Sequence, residues 1–107
     1  MTTLSSHVLD VEHGSPAAGV SIALYRDHQQ VAEALTDSNG RIAELGGALE
    51  PGTYDVVFDI ARYLAAHGRG APFLQRVTLQ VTFDAAQSHY HVPLLITRYA
   101  CTTYRGT

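Results

Sequence analysis

Apolar and polar side chains alternate along most of this chain with a period of two. Val20-Ser21-Ile22-Ala23-Leu24-Tyr25 follows that rhythm, and Phe73, Val77, Leu79, Val81 and Phe83 alternate with Arg76, Thr78, Gln80 and Thr82. Such a pattern places one face of a strand in a core and the other in water. Further strand-like runs are Thr3 to Asp10, Gln30 to Thr36, Arg41 to Leu45, Thr53 to Phe58, Ser88 to Thr97 and a tail segment from Thr102 to Arg105. Turn signals separate them: His13-Gly14-Ser15-Pro16, Asp37-Ser38-Asn39-Gly40, and a loop holding Gly46, Gly47, Pro51 and Gly52. One short helix breaks the rhythm. Asp59 is placed to cap it, Ile60, Tyr63 and Leu64 fall on one face, and Gly68 can end it. Seven to eight short antiparallel strands with one helix predict an all-β fold, a two-sheet β-sandwich, in a single domain spanning 1–107.

Within the run 88–97, alternation puts Tyr90, Val92, Leu94 and Ile96 in the core. His89, His91, Pro93, Leu95 and Thr97 then face away from it. Pro93 predicts an edge strand or a local irregularity, because proline cannot donate to a ladder. His7 lies in Leu4-Ser5-Ser6-His7-Val8-Leu9-Asp10, where alternation does not assign its face: Leu4 and Val8 oppose Leu9 and Val11. Arg41 follows the Asn39-Gly40 turn. Taken singly, His89, His91 and Arg41 read as solvated surface groups and His7 as a structural or exposed histidine. The tail Tyr104-Arg105-Gly106-Thr107 adds a polar aromatic, an arginine and a glycine close after the two histidines. Metal chemistry lacks support, since the histidine pair has no further ligand at close spacing. No G-x-S-x-G elbow and no phosphate loop is present, and Cys101 carries no catalytic signature.

Composition narrows the partners. With 107 residues, 46% hydrophobic and 16% charged, the chain supports one modest core. A net charge of −3 offers no basic footprint for nucleic acid. No apolar stretch approaches the roughly 18 residues of a membrane span, and no signal peptide opens the sequence. A single cysteine excludes an intramolecular disulfide and points to the cytoplasm.

Several segments together carry a resemblance. Leu4-Ser5-Ser6-His7-Val8-Leu9-Asp10 with Gly14-Ser15-Pro16-Ala17, Thr36-Asp37-Ser38-Asn39-Gly40-Arg41, Gly52-Thr53-Tyr54, Pro72-Phe73 and His89-Tyr90-His91-Val92-Pro93-Leu94-Leu95 occur in the order found in the transthyretin-like proteins. The chain resembles that family over nearly its whole length. Its tail is similar to the Tyr-Arg-Gly-Ser ending of the 5-hydroxyisourate hydrolase branch, whereas the hormone-carrying transthyretins lack the histidines.

The resemblance implies a homotetramer, a dimer of dimers, with active sites in a central channel. It implies hydrolysis of the small molecule 5-hydroxyisourate to 2-oxo-4-hydroxy-4-carboxy-5-ureidoimidazoline, without metal or organic cofactor. His7, Arg41 and His91 match the catalytic trio. His7, Arg41, Tyr104, Arg105, Gly106 and Thr107 are the expected substrate contacts, with His89 in support. These residue types suit a ring-opening hydrolysis, because imidazoles exchange protons near neutrality and a guanidinium offers a permanent planar charge to carbonyl oxygens. Either His7 or His91 can be the base at this level. The chain departs from the family pattern at Thr107, where serine is usual, at Arg98 in place of proline, and at Cys101 in place of an aromatic. The competing expectations are a small-ligand carrier of the same fold and a structural sandwich whose three polar residues lie apart.

Overall fold

The computed structural model describes all residues, 1–107. Its elements are β1 (Thr3–Asp10), β2 (Ser15–Pro16), β3 (Ser21–Arg26), β4 (Gln29–Leu35), β5 (Arg41–Ile42), β6 (Gly52–Asp59), α1 (Ile60–Ala66), β7 (Arg76–Phe83), β8 (His89–Ile96) and β9 (Cys101–Thr103). They form two sheets. One runs β2-β1-β8-β9, with β5 beside β2 on the same flank of β1; the other runs β4-β3-β6-β7. A core of 20 buried residues fills the space between them, with Leu4, Val8, Leu94 and Ile96 facing Ile22, Leu24, Val56 and Phe58. No helix is long and apolar enough to cross a membrane.

The all-β sandwich is as the alternation predicts, with one pairing of the opposite sense. β1 and β8 run parallel, in register from Thr3↔His89 to Asp10↔Ile96. Turn signals in a sequence report hairpins between neighbours in the chain. These two strands are joined through the whole of the second sheet, so no local signal reports their direction.

The inner face of β1 carries Leu4, Ser6, Val8 and Asp10, all buried. Two of the four are polar, which is why hydropathy alone does not place His7. Both have their partners: Ser6 Oγ donates to the Val92 carbonyl at 2.7 Å, while Asp10 accepts from the Tyr63 hydroxyl and the His13 amide at 2.9 Å each. Arg69 pairs with the same carboxylate and reaches Glu12 at 3.1 Å, and Glu12 also holds Arg98 at 2.9 Å. This ionic chain ties the end of β1 to the segment after α1 and to the β8–β9 turn.

Helix α1 begins as expected, with the Asp59 side chain accepting from the Arg62 amide at 3.0 Å. Phe73 does not belong to the strand predicted for it. β7 begins only at Arg76, after Pro72 and a crossing segment, and Phe73 is 65% exposed with its ring stacked on Tyr99. Pro93 sits in a central strand, not an edge, and the irregularity it imposes is real. Leu94↔Thr103 and His91↔Gly106 are paired in one continuous register, but the ladder lapses between them, where Pro93 has no N–H. The Thr103 hydroxyl takes the Pro93 carbonyl instead, at 2.8 Å.

Burial pushes the Asp10 carboxyl up, but the bonds from Arg69, His13 and Tyr63 outweigh it and hold it below its ordinary 3.8. Its stabilisation is therefore present above that unfolded-chain value and is lost as pH falls through the lower folded value. Asp10→Asn is expected to cost about 2–4 kcal/mol, near the lower end for a broken buried pair because Arg69 retains some solvent. Urea unfolding of wild type and variant checks this, and the difference between them should shrink below about pH 4.

Candidate active site

The outward face of the first sheet is built from alternate residues of three strands. β1 contributes Thr3, Ser5 and His7, and β8 contributes His89, His91 and Pro93. On the other flank of β1, His7 lies directly opposite Arg41 of β5. The parallel register sets Ser5 opposite His91 and His7 opposite Pro93. His91 is thus the diagonal neighbour of His7, about 7–8 Å away by ordinary sheet geometry. His7, Arg41 and His91 come together on one side of one sheet.

Arg41 is delivered by a tightly bonded turn. Asp37 Oδ1 accepts the Asn39 and Arg41 amides at 2.8 and 2.9 Å, and the Val8 amide donates to the Gly40 carbonyl at 2.8 Å. Gly40 has φ +75°, and a Cβ there would strike the Val8 carbonyl, so glycine is needed on both counts. Those two backbone bonds are the first cause of an Asp37 carboxyl held below its usual range, ahead of the nearby Arg41 and His7 side chains. The Arg41 guanidinium makes no ion pair or hydrogen bond within the chain.

The same turn fixes the tautomer of His7. Its Nε2 lies 2.9 Å from the Asn39 carbonyl, and a carbonyl only accepts. Nε2 therefore carries a proton, and Nδ1 is the nitrogen left for chemistry. His91 is held at the other nitrogen: its Nδ1 lies 2.7 Å from Ser5 Oγ, leaving Nε2 unpartnered. Partial burial first, then the charges of Arg41, His7 and His89, push the His91 imidazole below its ordinary 6.5. That favours the neutral form of His91, whose Nε2 has no partner within the chain.

The tail reaches this face through its backbone. The Gly106 amide donates to the His91 carbonyl at 2.7 Å. A Cβ on Gly106 would lie 2.6 Å from the His91 ring carbon Cδ2, so the missing side chain makes room for the imidazole. Continuing the register sets Tyr104 opposite Pro93, on the histidine side. Arg105 turns the other way. Its guanidinium stacks 4.5 Å above the Tyr90 ring and bonds Gln87 at 3.1 Å. The strand period that brings Tyr104 and Gly106 to the histidine face sends Arg105 to the opposite one, where these contacts anchor the tail. Thr107 is exposed beyond Gly106.

Sequence reasoning does not reach Ser5 and Thr3. Their signal is the spacing of Thr3, Ser5 and His7 on one strand face, legible only once that face is known. No group of three or more His, Cys, Asp or Glu side chains is placed to hold a metal ion. A groove of about 490 Å³ lies between β7 and the tail, lined by Leu79, Val81, Phe83, Tyr90, Tyr104 and Arg105.

The sequence pattern of the HIUase/Transthyretin family matches residues 4–106. The chain belongs to that family. It is 41% identical to the 5-hydroxyisourate hydrolase of Pseudomonas aeruginosa, covering 100% of this chain and 93% of the relative. The enzyme of the same description from Deinococcus radiodurans is 43% identical over 97% of this chain and 95% of its own. Among solved structures, the Klebsiella pneumoniae 5-hydroxyisourate hydrolase superposes with a TM-score of 0.91 at 35% identity, covering 100% of both chains. The transthyretin of Sparus aurata superposes at 0.82 with 26% identity, covering 96% of this chain and 95% of that one. Within the HIUase/transthyretin family, then, this chain carries the histidine-bearing face on the shared sandwich.

Gly106→Ala is expected to push the His91 ring aside while leaving the fold in place. Turnover should fall about tenfold or more, as for other misplacements near the chemistry, with a melting temperature within a few degrees of wild type. Parallel activity and thermal-unfolding measurements separate the two effects.

Proposed function

We propose that this chain is a hydrolase that opens 5-hydroxyisourate, giving 2-oxo-4-hydroxy-4-carboxy-5-ureidoimidazoline in urate degradation. The observation that carries the reading is the meeting of His7, Arg41 and His91 on one open sheet face. Each ring presents one unpartnered nitrogen, and the guanidinium is unspent. A carrier gains little from such a set; an acyl–nitrogen hydrolysis uses all of it. His91 Nε2 takes a proton from water as the oxygen adds to the cyclic carbonyl. Arg41 faces the oxygen on which negative charge develops. His7, protonated, delivers a proton from Nδ1 to the leaving nitrogen. Tyr104 and Thr107 border the ring, and Gly106 admits it beside His91.

The whole chain, 1–107, acts as one domain in this reading, and the working unit is a homotetramer built as a dimer of dimers. Two features support that assembly. His7 and Arg41 stand on an open sheet face, and a facing copy would close the site. The edge strand β7 also has an open side along the apolar groove. Sedimentation should give four times the chain mass of 11.6 kDa. The compartment we assign is the cytoplasm, where the exposed, unpaired Cys101 stays reduced.

The likeness to the Sparus aurata transthyretin favours a second reading, a small-ligand carrier without catalysis. An ultraviolet assay with freshly generated 5-hydroxyisourate separates the two. Decay faster than the spontaneous rate is expected, and tight binding without acceleration would favour the carrier. Alanine at His7, Arg41 or His91 should lower kcat/KM by about 10²–10⁴ while the assembly stays intact. Near-wild-type activity in His91→Ala would overturn the mechanism.

The acid limb of the rate profile should lie below the ordinary histidine value of 6.5, because His91 stays neutral to lower pH. Arg41→Ala removes a cation beside His91. In that variant the residual activity should show its acid limb displaced to higher pH.

A further inference from the structure

Three side chains outside the catalytic trio form an unbroken hydrogen-bonded line behind His91. Thr3 Oγ1 lies 2.6 Å from His89 Nδ1. His89 Nε2 lies 2.8 Å from Ser5 Oγ, and Ser5 Oγ lies 2.7 Å from His91 Nδ1. The line passes back and forth between β1 and β8, and the parallel register is what brings its members together.

A serine hydroxyl has one proton, so between two imidazoles it donates to one and accepts from the other. Two arrangements satisfy every link. In the first, His91 Nδ1–H donates to Ser5, Ser5 donates to His89 Nε2, and His89 Nδ1–H donates to Thr3. His91 Nε2 is then bare, a base. In the second the direction reverses between the rings: His89 Nε2–H donates to Ser5, Ser5 donates to His91 Nδ1, and His91 Nε2 carries a proton. Within the line, one arrangement becomes the other by protons passed along bonds that already exist.

The surroundings favour moving positive charge away from His91. It faces His7 of β1 and Arg41 of β5, both cationic or able to become so, and it is partly buried. On its own strand the only titratable neighbour on this face is His89. The tail contributes Tyr104 on this side, while Arg105 is stacked on Tyr90 beyond the sheet. The imidazole of His89 is exposed. At about 3.3 Å per residue, it stands roughly 13 Å along β8 from the Arg41–His7–Pro93 row, against about 7 Å for His91.

We propose that Ser5 and His89 form a proton relay that draws charge off His91 during water activation, with Ser5 as the positioning residue that sets the His91 tautomer. The proposal rests on the hydrolase reading above. As water gives a proton to His91 Nε2 and its oxygen bonds to the carbonyl carbon, the proton on His91 Nδ1 passes to Ser5 Oγ. The Ser5 proton passes to His89 Nε2. His89 becomes the imidazolium; once product has left, its Nε2 proton returns through Ser5 to His91 Nδ1 as His91 Nε2 releases its proton to solvent, and His7, which has protonated the leaving nitrogen, is recharged from solvent. Protons balance, and His91 is never left holding charge beside Arg41.

The test combines Ser5→Ala, Ser5→Thr, His89→Gln and the double variant Ser5→Ala/His89→Gln with nitrogen-15 NMR of the histidine rings. Ser5→Ala should lower kcat by about 10- to 100-fold with little change in KM, and Ser5→Thr, which keeps the hydroxyl, should restore most of it. His89→Gln should lose a similar factor, and the double variant should lose no more than either single one. With the relay intact the acid limb of the kcat profile belongs to the coupled pair of rings; in Ser5→Ala it belongs to His91 alone and should move to lower pH. The resting wild-type protein should show His91 bonded at Nδ1, a signature lost in Ser5→Ala. Independent, multiplying losses, an unmoved acid limb, or an unchanged His91 signature in Ser5→Ala would each overturn the relay. Failure of wild type to accelerate decay would instead overturn the hydrolase reading, and the NMR signature would still report on the hydrogen-bonded line.

Discussion

The parallel ladder between β1 and β8 sets the position of every group at the site. It aligns Ser5 with His91 and His7 with Pro93, and through His7 it determines where Arg41 stands relative to both. A slip of one residue would turn His91 into the core and bring Val92 to the surface. The inner face resists that slip strongly. Leu4, Val8, Leu94 and Ile96 are almost fully buried, and truncating any one such side chain typically costs about 2–5 kcal/mol. The polar inner residues add direction that apolar packing lacks. Ser6 is bonded to the Val92 carbonyl, and Asp10 is held by His13, Tyr63 and Arg69. A slip of β8 would take the Val92 carbonyl from Ser6 and leave that hydroxyl in the core without its partner.

Charge at the site follows from how the turn before β5 spends its carboxylate. Asp37 is close enough to Arg41 and His7 to feel both charges, yet its side-chain oxygen is committed to two backbone amides. Arg41 reaches the sheet face with its guanidinium unpaired. That unspent cation serves two ends. It is available to an oxyanion, and it helps hold His91 neutral at a pH where an isolated imidazole would be partly protonated. A salt bridge between Asp37 and Arg41 would weaken both effects.

The sheet class, the helix cap and most strand limits are legible in the sequence because they rest on local signals: alternation, an aspartate cap, Asn-Gly and Pro-Gly turns. Alternation misplaces Phe73 because it counts side chains and is blind to the crossing segment that carries the ring to Tyr99. The site is legible as a set of residues only through the family resemblance. Its geometry is not, for a specific reason: His7 and His91 are brought together by a parallel pairing, and no turn encodes one. Ser5 is hidden for the same reason, since a serine on a strand becomes a bridge only once two histidines of β8 lie across from it. The inward face of β1 is obscured by Ser6 and Asp10, polar residues whose burial depends on partners far along the chain.

Pro93 and the tail form one device. Proline cannot donate to β9, so the ladder lapses at the step beside His7, and the Thr103 hydroxyl satisfies the carbonyl that is left. Further along the tail, the chain is drawn back by the Gly106 amide on the His91 carbonyl. Between these points Arg105 pins the segment to the opposite face over Tyr90 and Gln87. The tail is thus anchored from behind the sheet while its front presents Tyr104 and a bare backbone at Gly106. Any side chain at 106 would meet the His91 ring, so the glycine gives the imidazole a close wall on one side. Ser5 holds its Nδ1 from another. With those two constraints in place, the remaining nitrogen, Nε2, is left without a partner in the chain to meet a water molecule.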